Sequence, residues 1–509
     1  MLAKVFSFGL FGIETYPIEV EVDVSNGLPA ITLVGLADTA IKESKERVKA
    51  ALKNSGFHWP GERITINLAP SHIRKEGASF DLAIALGVLC ATEQISRVSL
   101  QNYYILGELS LDGTLRPTQG ILPICIAAVK SGIKDVIVPA ANAREAASAA
   151  GLNVWPLKTL RQTVEFLNNP QMLKPFSVNL EAIFSENAHY PVDFSDVKGQ
   201  AAAKRALEVA VCGGHNILLI GPPGAGKTML AKRIPTIMPA LNLKEALEIT
   251  EIHSIAGALA SGSIVATRPF RAPHHSISSA ALIGGGSLPK PGEISLSHQG
   301  VLFLDELPEF KRDCLESLRQ PLEDGFIRVA RAAKNLLFPS SFMLACAMNP
   351  CPCGGLGQFR YSCRCNTTQI YKYRSKISGP LLDRIDMHIE MVPIKFPELN
   401  TSLPAESSGQ IKIRVEKARA LERERFKEEG IISNAQMNNK QIKKFCCLGS
   451  EEADLLKKAV EELNFSARAY DKILRVSRTI ADMEGSCEIK ISHLMEAIQY
   501  RSLDRDFFL

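Results

Sequence analysis

The sequence has no apolar run approaching the roughly 18 residues needed to span a bilayer, so a membrane-spanning helix is not expected. Its opening stretch, residues 1–14, is broken by Lys4, Ser7 and Glu14 and has no small-residue cleavage pattern, which argues against a secretory leader. The polar composition of a disordered chain is also missing. Of 509 residues 46% are hydrophobic, enough for several domains that each bury a core. No single sign of charge dominates. A net charge of +5 permits a polyanionic partner without demanding one. The expectation is a cytoplasmic protein with no membrane partner, whose 12 cysteines are reduced thiols or metal ligands rather than disulfides.

What is present is organised around Gly221-Pro-Pro-Gly-Ala-Gly-Lys-Thr228, between the apolar run Ile217-Leu-Leu-Ile220 and the helical stretch that starts at Met229. Strand, glycine-rich loop and helix in that order form a phosphate-binding loop. The backbone N–H groups of residues 221–229 (Gly221, Pro222, Pro223, Gly224, Ala225, Gly226, Lys227, Thr228 and Met229, the prolines excepted) can wrap a polyphosphate at a helix N-terminus. Lys227 adds a point charge, and the Thr228 hydroxyl can hold Mg2+. Val301-Leu-Phe-Leu-Asp-Glu306 is a second buried strand ending in two carboxylates, where Asp305 would orient the metal and Glu306 would polarise the attacking water. A third run, 342–349, ends in Asn349, placed to sense the terminal phosphate. The three together point to ATP hydrolysis.

Residues 1–170 read as an α+β domain. Ile18-Glu-Val-Glu-Val-Asp-Val24 alternates as a half-buried strand, and Ala30-Ile-Thr-Leu-Val34 follows an Asn26-Gly27 turn signal, which predicts a hairpin. Order and spacing resemble the peptidase domain of Lon and the related end domain of the repair protein RadA. Ser79 stands where that family keeps its serine, but Leu122 stands where its lysine would fall. Without a base Ser79 is not an activated nucleophile, so the domain is read as a catalytically inactive scaffold or binding ring, with proteolysis as the alternative. Residues 171–195, with Pro175 and Pro191, read as a linker.

Residues 196–397 form the ATPase core. About 75 residues separate Thr228 from Asp305, more than the usual short connections need, so an insertion is expected within 261–297. A second is expected after Asp324: Ile327-Arg-Val-Ala-Arg331 alternates, 332–335 can turn and Leu336-Leu-Phe338 returns. Both resemble the insertions of the AAA+ branch that holds MCM helicases and the magnesium chelatase ATPase subunit, where they enter a central pore. Arg268, Arg271, Lys290, Arg328, Arg331 and Lys334 are the candidate contacts to a nucleic-acid backbone, with solvated loop tips as the alternative. His274 and His275 could bind metal or phosphate, although a loop histidine pair more often does neither. Cys351, Cys353, Cys363 and Cys365 form two close pairs that suit a structural four-thiolate Zn2+ site, with free thiols as the alternative. Arg384, in Gly379-Pro-Leu-Leu-Asp-Arg-Ile-Asp386, reads as an arginine finger or a local ion pair.

Residues 398–509 are a charged linker and helices, a lid in which Arg468 starts a helix as a second phosphate-sensing arginine or a surface ion pair. The fold class is therefore α/β multidomain: a P-loop core of parallel sheet with flanking helices, a Lon-protease-like α+β domain before it and a helical lid behind.

The motifs Arg268-Pro-Phe-Arg-Ala-Pro-His-His275, Pro291-Gly-Glu-Ile-Ser-Leu-Ser-His298, Gly300-Val-Leu-Phe-Leu-Asp-Glu-Leu-Pro-Glu-Phe310, Ala347-Met-Asn-Pro-Cys-Pro-Cys-Gly354 and residues 379–386 closely resemble the ComM (YifB) family. The resemblance covers nearly the whole chain. It implies a homo-hexameric, ATP- and Mg2+-dependent DNA helicase acting on single-stranded and branched DNA, promoting branch migration during natural transformation alongside recombination proteins. The alternative is a magnesium-chelatase-like ATPase that remodels a protein partner.

Overall fold

The computed structural model describes residues 1–71, 75, 77–97, 100–180, 183–184, 188–259, 264–285, 290–330, 335–356, 363–393 and 405–503. The chain opens with β1 (Leu2–Phe11) and β2 (Glu14–Ser25), an antiparallel hairpin that turns at Gly12, whose φ is +61°. Ile18, Val20 and Val22 point into the core, while Glu21 on the other face lies 3.2 Å from Lys4 across the hairpin. After β3 (Ala30–Val34) the chain crosses through helix α1 (Thr39–Asn54) to β4 (Arg63–Ala69).

The hairpin expected between 18–24 and 30–34 does not form. Instead β4 lies between β2 and β3, antiparallel to the first and parallel to the second. Its buried Ile64, Ile66 and Leu68 give both neighbours an apolar partner, and the crossover through α1 supplies the long connection a parallel pair needs. The wholly buried helix α2 (Asp81–Ala91) packs beneath this sheet. Beyond it run β5 (Tyr103–Ile105), the short ribbon β6 (Glu108–Leu109) and β7 (Leu115–Arg116), then β8 (Asp135–Pro139) and β9 (Asn153–Leu157). The seven-stranded order is β3-β4-β2-β1-β5-β8-β9.

The second sheet is wholly parallel. Helix α3 (Ala201–Gly213) leads into β10 (Ile217–Ile220), and α4 (Lys227–Ala231) follows the loop. Helix α5 (Leu243–Ala256) precedes β11 (Phe270–Arg271); then come the ribbon β12 (Gly284–Gly285) and β13 (Lys290–Pro291), followed by β14 (Val301–Leu304). A hairpin of β15 (Phe326–Ala330) and β16 (Asn335–Pro339) precedes β17 (Met343–Met348) and β18 (Met387–Glu390). The order β11-β14-β17-β10-β18 sets the phosphate loop beside the strand that ends at Asn349. Because β11 is an edge strand of this sheet, paired with β14, the insertion starts after Arg271 and is shorter than the sequence suggests.

Several contacts join the parts, among them a Ser254 side chain that donates to Glu145 of the front domain. Leu336 and Phe338 of the β15–β16 hairpin pack on the turn of β1–β2, where a Cβ at Gly12 would stand 2.6 Å from Leu336 Cδ1. The lid, with α6 (Ser408–Arg425) and α7 (Ala467–Glu484), shares one hydrophobic core with α3 and β10. A buried ionic group pins α7 to the sheet: Lys472 Nζ is 3.1 Å from Asp386 Oδ1, and Asn216 N donates to Asp386 Oδ2 at 2.9 Å. Burial alone would raise the Asp386 pKa, but Lys472 and His215 hold it well below the carboxylate range. Burial in turn pulls Lys472 down to about 8. Removing one partner of such a pair costs about 3–5 kcal/mol.

Candidate nucleotide site and four-cysteine cluster

The site is built at the carboxyl ends of parallel strands. All four residues of β10 are buried between β17 and β18, which leaves the loop after Ile220 as the first backbone free to face a ligand. Gly221 must be glycine, since a Cβ would lie 2.6 Å from the Met391 carbonyl oxygen. Gly224 and Gly226 have φ of +80° and +91°, conformations that aim successive N–H groups into one concavity.

Lys227 is 8% exposed, and its Nζ donates to Gly221 O at 2.6 Å, Pro222 O at 3.0 Å and Asn349 Oδ1 at 3.1 Å. Burial lowers its pKa, against the opposing fields of Asp305 and Glu306. Thr228 Oγ1 donates to Asp305 Oδ2 at 2.6 Å, so the two residues suited to Mg2+ already meet. Glu306 N donates to Asp305 Oδ1 at 3.0 Å. Pro223 packs against Gly354, and Met229 is 40% exposed on the first turn of α4. The residues from 221 to 229 thus converge with Asp305, Glu306 and Asn349 on one face.

Arg384 and Arg468 stand apart from that set. Arg384 Nη1 donates to Pro380 O at 2.6 Å and its Nη2 pairs with Glu323, while Arg468 Nη1 lies 3.2 Å from Asp383 Oδ2. Both line a cleft of about 1140 Å³ between core and lid, with Arg423 and Arg475. None of Lys227, Thr228, Asp305, Glu306 and Asn349 lines it.

The cysteines expected to cluster do so. Cys351 Sγ is 3.5 Å from Cys353 Sγ and 3.6 Å from Cys363 Sγ, Cys353 and Cys363 are 3.7 Å apart, and all four sulfurs, Cys365 included, lie within 4.8 Å of one another. Tetrahedral Zn–S bonds of about 2.3 Å require S···S separations of about 3.8 Å, so the thiols fit zinc. Backbone N–H groups of Gly355 and Arg364 pull the Cys353 thiol down to about 6, while the neighbouring thiols of the cluster push Cys363 up. With four thiolates there is no open coordination position, and the metal would clip a loop.

Two of the expected nucleic-acid contacts are engaged within the fold, Arg268 in the core and Arg271 in an ion pair. Arg268 is 9% exposed and donates to Pro239 O at 2.6 Å and Gln299 O at 2.7 Å, stapling the approach to β11. Arg271 is held by Glu293 through two bonds of 2.6 and 2.7 Å. Their carboxylate and carbonyl partners are distant in sequence, so a motif-level reading counts the charges as free. Lys290 on β13 and Arg328 on β15 are exposed, the latter 5.5 Å over the Phe326 ring. Arg331 and Lys334 lie outside the described residues. In the front domain Leu122 is fully buried, and its N–H donates to Glu145 Oε1 at 3.1 Å.

Two contacts at the site escape the sequence reading. Gln200 Nε2 donates to Ala225 O at 3.1 Å and Val392 O at 2.8 Å, tying the phosphate loop to the chain after β18. His275 Nδ1 lies 3.3 Å from Glu306 Oε2. The parallel register of β11 with β14 is the signal that would have found it.

Three family models cover the chain: "Subunit ChlI of Mg-chelatase" over residues 20–142, "Magnesium chelatase, subunit ChlI" over 193–399 and "Magnesium chelatase, subunit ChlI C-terminal" over 405–501. Competence protein ComM of Haemophilus influenzae is 43% identical across 99% of this chain and 98% of its own length. The chain belongs to the ComM/YifB family of magnesium-chelatase-like AAA+ ATPases. YifB of Escherichia coli, an uncharacterized protein, is likewise 43% identical over 99% of this chain and 98% of its own. Lon protease 2 of Bacillus subtilis is 28% identical over 32% of each chain. As an AAA+ member the protein is an ATPase that uses ATP and Mg2+. Among the described residues no helix is long and apolar enough to cross a membrane.

Proposed function

We propose that this ATPase is a cytoplasmic DNA motor, assembled as a homo-hexamer, that drives branch migration and so extends the integration of incoming single-stranded DNA. The observation that carries the reading is the division of the catalytic set. Phosphate loop, Asp305, Glu306 and Asn349 share one face, whereas Arg384 and Arg468 share a cleft that none of Lys227, Thr228, Asp305, Glu306 and Asn349 lines. A ring that sets the second surface of one copy against the first of its neighbour completes each site and makes hydrolysis depend on assembly. Exposed Arg328 on the β15–β16 hairpin and Lys290 in the insertion supply backbone-contacting cations. The name of the Haemophilus relative, a competence protein, agrees with a role in DNA uptake and recombination, in which recombination proteins are partners. A structural Zn2+ in the four-cysteine cluster braces the loop after Asn349.

The test is ATP-dependent displacement of a strand from forked and four-way DNA. Wild-type protein is expected to displace it, and Glu306→Gln to bind DNA without displacing it. A second reading, remodelling of a protein partner, draws on the chelatase family models. It gains if no branched DNA is moved and hydrolysis responds only to protein.

A further inference from the structure

The cleft between core and lid gathers donors that lack an acceptor. Arg384, Arg419 and Arg475 all line it, and in each the Nε atom is buried without a hydrogen-bond partner. A buried N–H left unpaired is costly, so a cluster of them at one cleft marks a place where acceptors arrive with a ligand. Arg384 and Arg419 spend their other nitrogens inside the chain, the first on Pro380 O and Glu323, the second on Glu422 and the carbonyls of Ile432 and Val211. Arg475 differs. Among the described residues its guanidinium has neither a hydrogen-bond acceptor nor a carboxylate within ion-pair distance.

Its place on α7 says what it faces. Arg468, Lys472 and Arg475 follow one another at four and three residues, which puts them on one face of the helix, and all three line the cleft. The first two are paired, Arg468 with Asp383 at 3.2 Å and Lys472 with Asp386 at 3.1 Å. Arg475 is the cation left over in that row. Its neighbours feel it: burial lowers the pKa of Lys472 and of His215, and the field of Arg475 lowers both further. A guanidinium in such surroundings finds its counter-charge in an anion that enters the cleft. A triphosphate supplies that charge, together with the many acceptor oxygens that planar guanidinium forks engage. Lys227 and Thr228, which serve the chain's own phosphates, do not line the cleft, so the triphosphate that reaches it belongs to another copy. Carboxylates of Glu416 and Asp471 in the same walls oppose a long nucleic-acid backbone there.

We propose that Arg475 is a further catalytic residue, which with Arg384 and Arg468 contacts the triphosphate held by the phosphate loop of the neighbouring copy and neutralises charge as the terminal phosphate leaves. Its contribution is electrostatic and crosses the subunit boundary, with no proton or electron passing through it. The assignment rests on the shared site proposed above.

The experiment is steady-state ATP hydrolysis by the full chain. Arg475→Ala is expected to lose about 10²-fold in kcat with KM for ATP changed little, the loss of one aligned donor. Arg475→Lys, which keeps the charge without the fork, is expected to recover part of that. Because Arg475→Ala breaks no pair within the chain, its thermal midpoint should match wild type, whereas that of Lys472→Ala should fall. Equal mixtures then assign the side of the interface. With Glu306→Gln, Arg475→Ala is expected to regain activity, since some interfaces pair an intact Glu306 with an intact Arg475. With Arg384→Ala it is expected to regain none, because both defects lie on one surface. The reverse pattern puts Arg475 beside its own copy's nucleotide and overturns the proposal. So does a midpoint lowered as far as in Lys472→Ala, or an Arg475→Ala kcat equal to wild type; unchanged hydrolysis beside weakened binding of single-stranded DNA gives the cleft to a nucleic-acid backbone instead. If Arg384→Ala and Glu306→Gln fail to restore each other, the shared site falls and Arg475 with it; if they succeed and Arg475→Ala shows the reverse pattern, only the assignment of Arg475 falls.

Discussion

Arg468 lies 3.2 Å from Asp383, the residue before Arg384, so the two arginines suited to a terminal phosphate share one cleft that Lys227 and Glu306 do not line. If each copy lends these arginines to its neighbour, Arg384→Ala and Glu306→Gln are each expected to lose at least about 10³-fold in kcat, the scale of an arginine-finger loss. Mixed in equal amounts, they are expected to recover activity, because some interfaces then pair an intact Glu306 with an intact Arg384. A mixture no more active than its parts contradicts shared sites.

Lys227 sits between the loop carbonyls and Asn349. Lys227→Ala is expected to weaken ATP binding more than tenfold, measured with a fluorescent nucleotide, because the buried point charge for the phosphates is gone. Asn349→Ala is expected to keep KM within a few fold and lower kcat by about 10²-fold, the usual loss of one aligned polar group.

The cysteine cluster gives a compositional expectation. Protein purified under reducing conditions should carry one Zn2+ per chain, and Cys351→Ser with Cys363→Ser should carry none. Gly354 packs on Pro223 and Cys351 follows Asn349 by two residues, so metal loss should also lower ATP affinity, while Cys447→Ser changes neither. Metal analysis beside nucleotide titration checks both.

His298 sets a pH dependence of stability. Its Nδ1 accepts from Ser341 N at 3.0 Å, which requires the neutral ring on that side, and burial pushes its pKa from 6.5 down to about 4, against the weaker pull of Glu245; Glu248 stands 3.6 Å from Nε2. The unfolded chain therefore binds this proton more readily than the folded one between those values, and stability falls as pH drops from 6.5 toward 4. The loss is about 3 kcal/mol for a shift of that size. In His298→Gln the denaturation midpoint should fall less over the same window; parallel curves would contradict it.

Much of this was legible because the signals are local. Four apolar residues before a glycine loop, an apolar run ending in two acids and alternation from Ile327 each specify an element without distant partners. The hairpin predicted from Asn26-Gly27 failed because β4, remote in sequence, offers β2 and β3 a better apolar partner than they offer each other. Arg268 misled for a related reason: whether a cation is free depends on carbonyls such as Pro239 O, and Arg271 on Glu293, which only the fold brings near. His275 was visible as a motif residue, but its meeting with Glu306 needs the strand register.

The most direct measurement is the ATPase rate of the purified protein with and without single-stranded or forked DNA, beside Glu306→Gln and an Arg328→Ala, Lys290→Ala double variant. The account expects strong stimulation by DNA, abolished in the first and blunted in the second. An ATPase indifferent to every DNA tested would contradict it.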